Sequence, residues 1–305
     1  MKRWFLLVMP LALVLAACGG GGAVVATVDG TDIRLESIEE LSPEGGAQTR
    51  ENFSTNLRNT IVEVMMVEGA AADFDITFDD EAIEARYEEL KAEVVPAEVE
   101  YEDFLEQQGV TDALVRRVAH SILIQGAVTE RLVEEAGPPT DEEVRERFDQ
   151  QLTSLTEACV SHILSESEEG ALAAKARLDS GEDFAEVASA VSTDPSAADN
   201  GGDLGCGQLG NYVAEFATGA FEAPIGEVTG PVRSQFGYHL ILVGERTEPV
   251  FDELRDDIVS AIERERSTTL FNEWLTAKID AAVVEVDPKY GTWVTDPIPE
   301  ILPPE

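Results

Sequence analysis

The sequence is short of positive charge, of histidine and cysteine, and of apolar runs long enough to cross a bilayer. Its 305 residues hold 21 Lys and Arg against 61 Asp and Glu, a formal net charge of −40 at pH 7. The acid is spread along the chain rather than gathered in a tail. Such a surface repels phosphate backbones and anionic headgroups, which excludes nucleic-acid binding. Solubility accounts for the charge itself. Three histidines and three cysteines offer little to a metal. Cys159, Cys206 and His162 match no ligand spacing for zinc, and neither a metal nor a cofactor is expected. The one long apolar run, Trp4 to Ala17, is too short and too one-sidedly flanked for a spanning helix.

What is present begins with Lys2 and Arg3, followed by that apolar run and small residues, the pattern of a secretory signal over residues 1–17. The letters "LAAC" followed by four glycines resemble the lipobox of bacterial lipoproteins. The resemblance implies cleavage before Cys18, a diacylglycerol on its sulfur, a lipidated tether over 18–22, and a place on the extracytoplasmic face of the cell membrane. An ordinary signal peptide with a chance cysteine is the other reading. With Cys18 spent on lipid, Cys159 and Cys206 are an even pair in an oxidising compartment, and so a disulfide candidate.

The remaining chain is long enough for two domains. "AVVATVDGTDIRLESIEEL" predicts a strand over Val24 to Val28, a turn at Asp29-Gly30 and then a helix. From about Asn52 to Gln151 the apolar spacing is helical, as in Leu57, Ile61, Val64 and Met65, with Thr77 and Thr140 or Asp141 as helix caps. From Glu157 the texture changes to a β-prone "ACVSHIL", two helices broken at Ser180-Gly181, a glycine-rich stretch, and two strands at Gly230 to Arg233 and Gly237 to Val243. After Pro249 a helix returns, with Phe251, Leu254, Ile258, Ile262, Leu270, Trp274 and Ile279 as its apolar stripe. "AVVEV" reads as a strand, and residues 287–305 as an extended or disordered Pro-rich tail.

The stretch "GGDLGCGQLG", Gly201 to Gly210, contains a G-x-G-x-x-G. A dinucleotide fingerprint needs a buried strand directly before its first glycine and a helix directly after its last. Here a polar turn, "STDPSAADNGGD", precedes the glycines, so their role is read as structural: they permit backbone shapes that other residues resist.

A longer match runs from about Ala158 to Arg246, which resembles a parvulin-type peptidyl-prolyl isomerase. The motifs fall in order: "SHIL", "SGEDFAEVASAVS", the "S-x-D" of Ser192 to Asp194, "GGDLG", "EF…AF", and "GPV…FGYH-I". With the lipobox and the helical flanks, the chain resembles the extracytoplasmic foldase-chaperones of the PrsA and SurA type. "VDPKYGTW" resembles the C-terminal signature of actinobacterial versions. The resemblance implies an α+β fold: a parvulin domain over 157–247, with a small antiparallel sheet flanked by helices, inserted in a mainly helical chaperone domain. That domain would be formed by 23–156 together with a helix and strand over 248–286. It implies catalytic His162, Asp194 and His239, proline-pocket residues Leu204, Tyr212 and Phe216, and Ser234 as a hydroxyl beside them. It also implies a Cys159–Cys206 disulfide bracing neighbouring strands. His120 is assigned no role. Gly207 stands where the family commonly has an aromatic, and Tyr212 where methionine is usual. The partners implied are unfolded or nascent secreted polypeptides containing proline, and the membrane through the lipid. A non-enzymatic holdase whose parvulin domain only grips extended chains is the alternative.

Overall fold

The computed structural model describes residues 22–42 and 50–304. Cys18 and the signal segment therefore lie outside the described residues. The first elements are β1 (Val24–Val28), β2 (Thr31–Arg34) and α1 (Leu35–Glu39). Five helices follow: α2 (Arg50–Phe74), α3 (Asp80–Val94), α4 (Tyr101–Gln108), α5 (Asp112–Ala136) and α6 (Asp141–Leu155). Next come β3 (Glu157–Ser165), α7 (Glu168–Asp179), α8 (Phe184–Val191), α9 (Ala197–Asn200), β4 (Asp203–Gln208), α10 (Ala214–Glu222), β5 (Val228–Ser234) and β6 (Gly237–Thr247). The chain ends with α11 (Phe251–Ala281), β7 (Val284–Val286), β8 (Thr292–Val294) and β9 (Glu300–Leu302).

These elements form two compact units, one of residues 1–136 and 267–305, the other of 137–266. In the first, β1 is the middle strand of a sheet ordered β2-β1-β7. The Asp29-Gly30 turn departs from expectation, because the chain returns as β2 before any helix begins. Both turn residues have positive φ, 47° and 93°, the backbone that a tight two-residue hairpin needs. A cap expected at Thr77 is made instead by Asp79, whose carboxylate accepts from Ala82 N at 2.9 Å. The core of this unit joins Val25, Val28, Leu57 and Ile61 to Ile301. A second cluster joins Met66, Ile124 and Val128 on α2 and α5 to Phe271 and Trp274 on α11. The Trp274 indole N–H donates to Asp73 at 2.8 Å.

The tail corrects the expectation of disorder. β8 and β9 pair antiparallel, Trp293 opposite Ile301, and Tyr290 stacks on Phe53 with ring centroids 5.3 Å apart. Proline content argued for a loose end. Burial of Ile301, with Tyr290 and Trp293 packed on the same core, supplies the apolar area that offsets the entropy of ordering it.

The second unit carries a four-stranded antiparallel sheet in the order β4-β3-β6-β5. Its strands run longer than the sequence indicated, β5 to Ser234 and β6 to Thr247. The boundaries also move outward from 157 and 247 to 137 and 266, and the reason is packing. α6 starts with a capping box, Thr140 with Glu143. It buries Val144 and Phe148 against Ile258 and Ile262 of α11, and Arg266 reaches Glu143 and the Gly137 carbonyl. Leu209, fully buried, donates its N–H to Thr156 O just beyond α6 at 2.9 Å.

Cys159 and Cys206 face each other across the β3–β4 ladder and are joined as a disulfide, with Cα atoms 3.9 Å apart. Closing a loop of 47 residues is worth about 2–4 kcal/mol through the unfolded chain. Free-thiol titration of the unfolded, unreduced chain should find neither cysteine, and reduction should lower the denaturation midpoint by that margin. Two free thiols would contradict the bond.

Candidate active site

The site is assembled by the two central strands of the second unit and two loops tied to them. Antiparallel pairing places Leu164 of β3 opposite His239 of β6, and His162 opposite Ile241. Residues two apart share a face of a strand, so both histidines stand on one face. There they are buried, at 6% and 4% exposure, and their Nδ1 atoms lie 3.2 Å apart. Two glycines make this approach possible. Gly202 (φ +82°) passes where a Cβ would run into the His162 carbonyl oxygen, and Gly230 (φ +119°) does the same at the His239 carbonyl. Glycine alone adopts such φ without strain. The His162 N–H also donates to Gly202 O at 2.8 Å.

The loop after α8 brings in Asp194. Its anchor is Ser192, whose hydroxyl accepts from Leu164 N at 3.1 Å and from Asp194 N at 3.3 Å, while Thr193 N donates to Leu164 O at 2.8 Å. Asp194 Oδ2 then lies 2.7 Å from His162 Nε2. Its Oδ1 accepts from the Ser196 N–H at 2.9 Å and the Ser196 hydroxyl at 2.8 Å, an Asx-turn. At the other end, Ser234 Oγ lies 2.7 Å from His239 Nε2 and accepts from Phe236 N at 3.1 Å. A single hydrogen-bond chain therefore runs Asp194–His162–His239–Ser234.

Its direction follows from charge. The Ser196 backbone N–H is the largest influence on Asp194, and with the Ser196 hydroxyl and His162 it holds the carboxyl below the ordinary 3.8 against the opposing effect of burial. An ionised Asp194 only accepts, so His162 Nε2 carries a hydrogen. With both imidazoles neutral, His239 Nδ1–H donates to His162 Nδ1, and the Ser234 hydroxyl donates to His239 Nε2. Burial first, and the neighbouring His162 second, push His239 down from 6.5 to about 4. Its folded form thus resists the proton that the unfolded chain accepts below pH 6.5. Stability from this group is complete above pH 6.5 and is lost as pH falls toward 4. Asp194 adds a loss below pH 3.8. Between pH 6.5 and 4 the unfolding midpoint of the wild type should fall more steeply than that of His239→Gln, and parallel curves would overturn the assignment.

Phe216 of α10 supplies the floor. It is buried, at 2% exposure, with its ring edge-on to His162 at 5.7 Å and to His239 at 5.3 Å. Tyr212 lies against it at 5.0 Å, and Leu204 and Tyr212 pack as partly buried members of the same cluster. Burial, with help from Asp203, raises the Tyr212 phenol above its ordinary 10. Every residue singled out in the parvulin segment is thus brought to one place. Sequence reasoning missed Ser192, Ser196 and the N–H of Phe236, small groups whose role is to aim a neighbour. Gly230 was the one readable signal, since a glycine inside a strand pattern marks a close approach. Gly207 pairs with Ala158 in the ladder and bears no ring. His120 lies elsewhere, on α5, 3.4 Å from Glu63.

Apolar ring floor, buried imidazole pair and ionised carboxylate make up the site of a parvulin-type peptidyl-prolyl isomerase, and residues 152–245 match the rotamase family, the PPIC-type PPIase domain. Over 279 residues the chain is 36% identical to the foldase protein PrsA of Halalkalibacterium halodurans, covering 88% of this chain and 80% of that one. It is 30% identical over 270 residues to PrsA of Geobacillus kaustophilus, covering 87% of each. The crystal structure of PrsA from Bacillus cereus aligns with a TM-score of 0.46 at 22% identity, over 86% of this chain and 92% of that one. The chain belongs to the PrsA foldase family.

Proposed function

We propose that this foldase isomerises Xaa-Pro bonds of secreted polypeptides at the outer face of the cell membrane, anchored by lipid on Cys18, with Asp194, His162 and His239 as its catalytic group. The observation that supports this most is the uninterrupted chain from Asp194 to Ser234 against the Phe216 ring. The barrier is about 18–20 kcal/mol, set by amide resonance. No bond to substrate need be made or broken. Resonance places negative charge on the carbonyl oxygen, and an ionised Asp194 beside that oxygen would raise the planar forms relative to the twisted one. An aspartate at this position also leaves no thiolate for a covalent route. The buried imidazole pair keeps the carboxylate ionised and aimed, and Leu204, Tyr212 and Phe216 hold the proline ring. The helical unit serves the chaperone half of the activity.

No described helix is long and apolar enough to cross a membrane, so attachment rests on the cysteine. Native protein should partition into the detergent phase and Cys18→Ser should not; equal partitioning would exclude the anchor. Turnover of an Xaa-Pro peptide by the purified protein separates the isomerase from a holdase, which would suppress aggregation with no turnover.

A further inference from the structure

The isomerase unit is poor in cations where its substrate must sit. Residues 157–247 contain four of them, Lys175, Arg177, Arg233 and Arg246. Three are engaged: Lys175 with Asp179, Arg177 with Glu182, and Arg246 with the Phe221 and Ala223 carbonyls. The fourth faces away. Val232 pairs with His239, whereas Arg233 pairs with Tyr238, and alternate residues of a strand point to opposite faces.

The carboxylates near the site are not neutralised. Asp203 adjoins Leu204 at the start of β4 and pairs in register with Ser161, the neighbour of His162. Its carboxylate accepts only from Gly205 N. Glu215, exposed in the first turn of α10, adjoins Phe216. Among the described residues no ion pair forms to either. Their fields reach the site, since Asp203 raises the Tyr212 phenol and Glu215 favours the charged form of His239. Asp194 adds a third negative charge.

We infer that Asp203 and Glu215 make the proline site select a basic residue, Lys or Arg, immediately before the proline and reject an acidic one. This rests on the isomerase reading and adds a substrate class to it. A bound Lys ammonium would meet uncompensated negative charge on both sides of the pocket, whereas a Glu would be placed among like charges, which are costly in a partly desolvated site.

The test uses the mature chain and three acetylated tetrapeptides, Ala-Xaa-Pro-Phe with Xaa as Lys, Ala or Glu. Exchange is read by NMR and binding by titration of each peptide. The Lys-to-Glu ratio of kcat/KM should be tenfold or more at low salt and shrink toward one in 1 M salt, where the Debye length is about 3 Å. Asp203→Asn with Glu215→Gln should cut the ratio at least fivefold. Asp256→Asn, an equal charge change on the exposed surface of α11, should leave it unaltered. A wild-type ratio near one, with the Ala peptide turned over, would overturn the inference and spare the isomerase. A ratio that survives the double substitution, or that Asp256→Asn lowers equally, would assign selectivity to net charge and overturn it as well. Dissociation constants for the same peptides report the ratio even in a chain without turnover, so the two readings fail separately.

Discussion

Replacement of Asp194 by alanine is expected to lower kcat/KM for an Ala-Xaa-Pro-Phe peptide by tenfold or more, a barrier increase of about 1.4 kcal/mol. Unit charges about 4 Å apart interact by about 4 kcal/mol at an effective dielectric of 20. An amide oxygen carries a fraction of a charge, so an effect of about 1–2 kcal/mol is within reach of one carboxylate. The fold should persist, because the Asp194 side chain is 21% exposed and belongs to no apolar cluster. Asp194→Asn separates charge from shape. It preserves volume and an oxygen for Ser196, but its neutral amide cannot repel charge on the substrate carbonyl. Both variants should therefore be slow to a similar degree. An asparagine variant with wild-type turnover would remove the electrostatic mechanism and leave positioning alone. Suppression of client aggregation should survive in both, since that activity is assigned to the helical unit.

Phe216→Ala should act on two quantities at once. Loss of a fully buried phenylalanine costs about 3–5 kcal/mol of stability, and Phe216 also touches both imidazoles and Tyr212. The expected result is a lower denaturation midpoint together with a raised KM, as the proline loses its floor. Phe216→Leu restores most of the volume without the ring. Its stability should largely recover, while peptide binding remains weaker than wild type. If Phe216→Ala binds peptide as well as the wild type, the ring is core only and the pocket lies elsewhere.

Much of this was fixed by local chemistry. The Asp29-Gly30 turn, the Thr140–Glu143 capping box, the change from helical to alternating periodicity near Glu157 and the glycines after Asp194 are short-range signals. They act between residues a few positions apart, so each can be read from neighbouring letters. The candidate residues were readable for a different reason, because ordered motifs over about ninety residues carry a family's geometry with them. Tertiary structure alone decided the rest. Whether the Pro-rich end orders depends on Val25, Leu57 and Ile61, far away in the chain, being present to bury Ile301. The limits of the isomerase unit depend on α6 meeting α11 across 118 residues, as in the Arg147–Glu265 pair. The direction of the Asp194–His162–His239–Ser234 chain depends on Ser196 and on burial, and neither a hydrogen-bond partner nor a dielectric is written in the letters of a strand. Composition by itself made the protein acidic; the pairing of three cations elsewhere and the turning away of Arg233 left the acid at the proline site uncompensated.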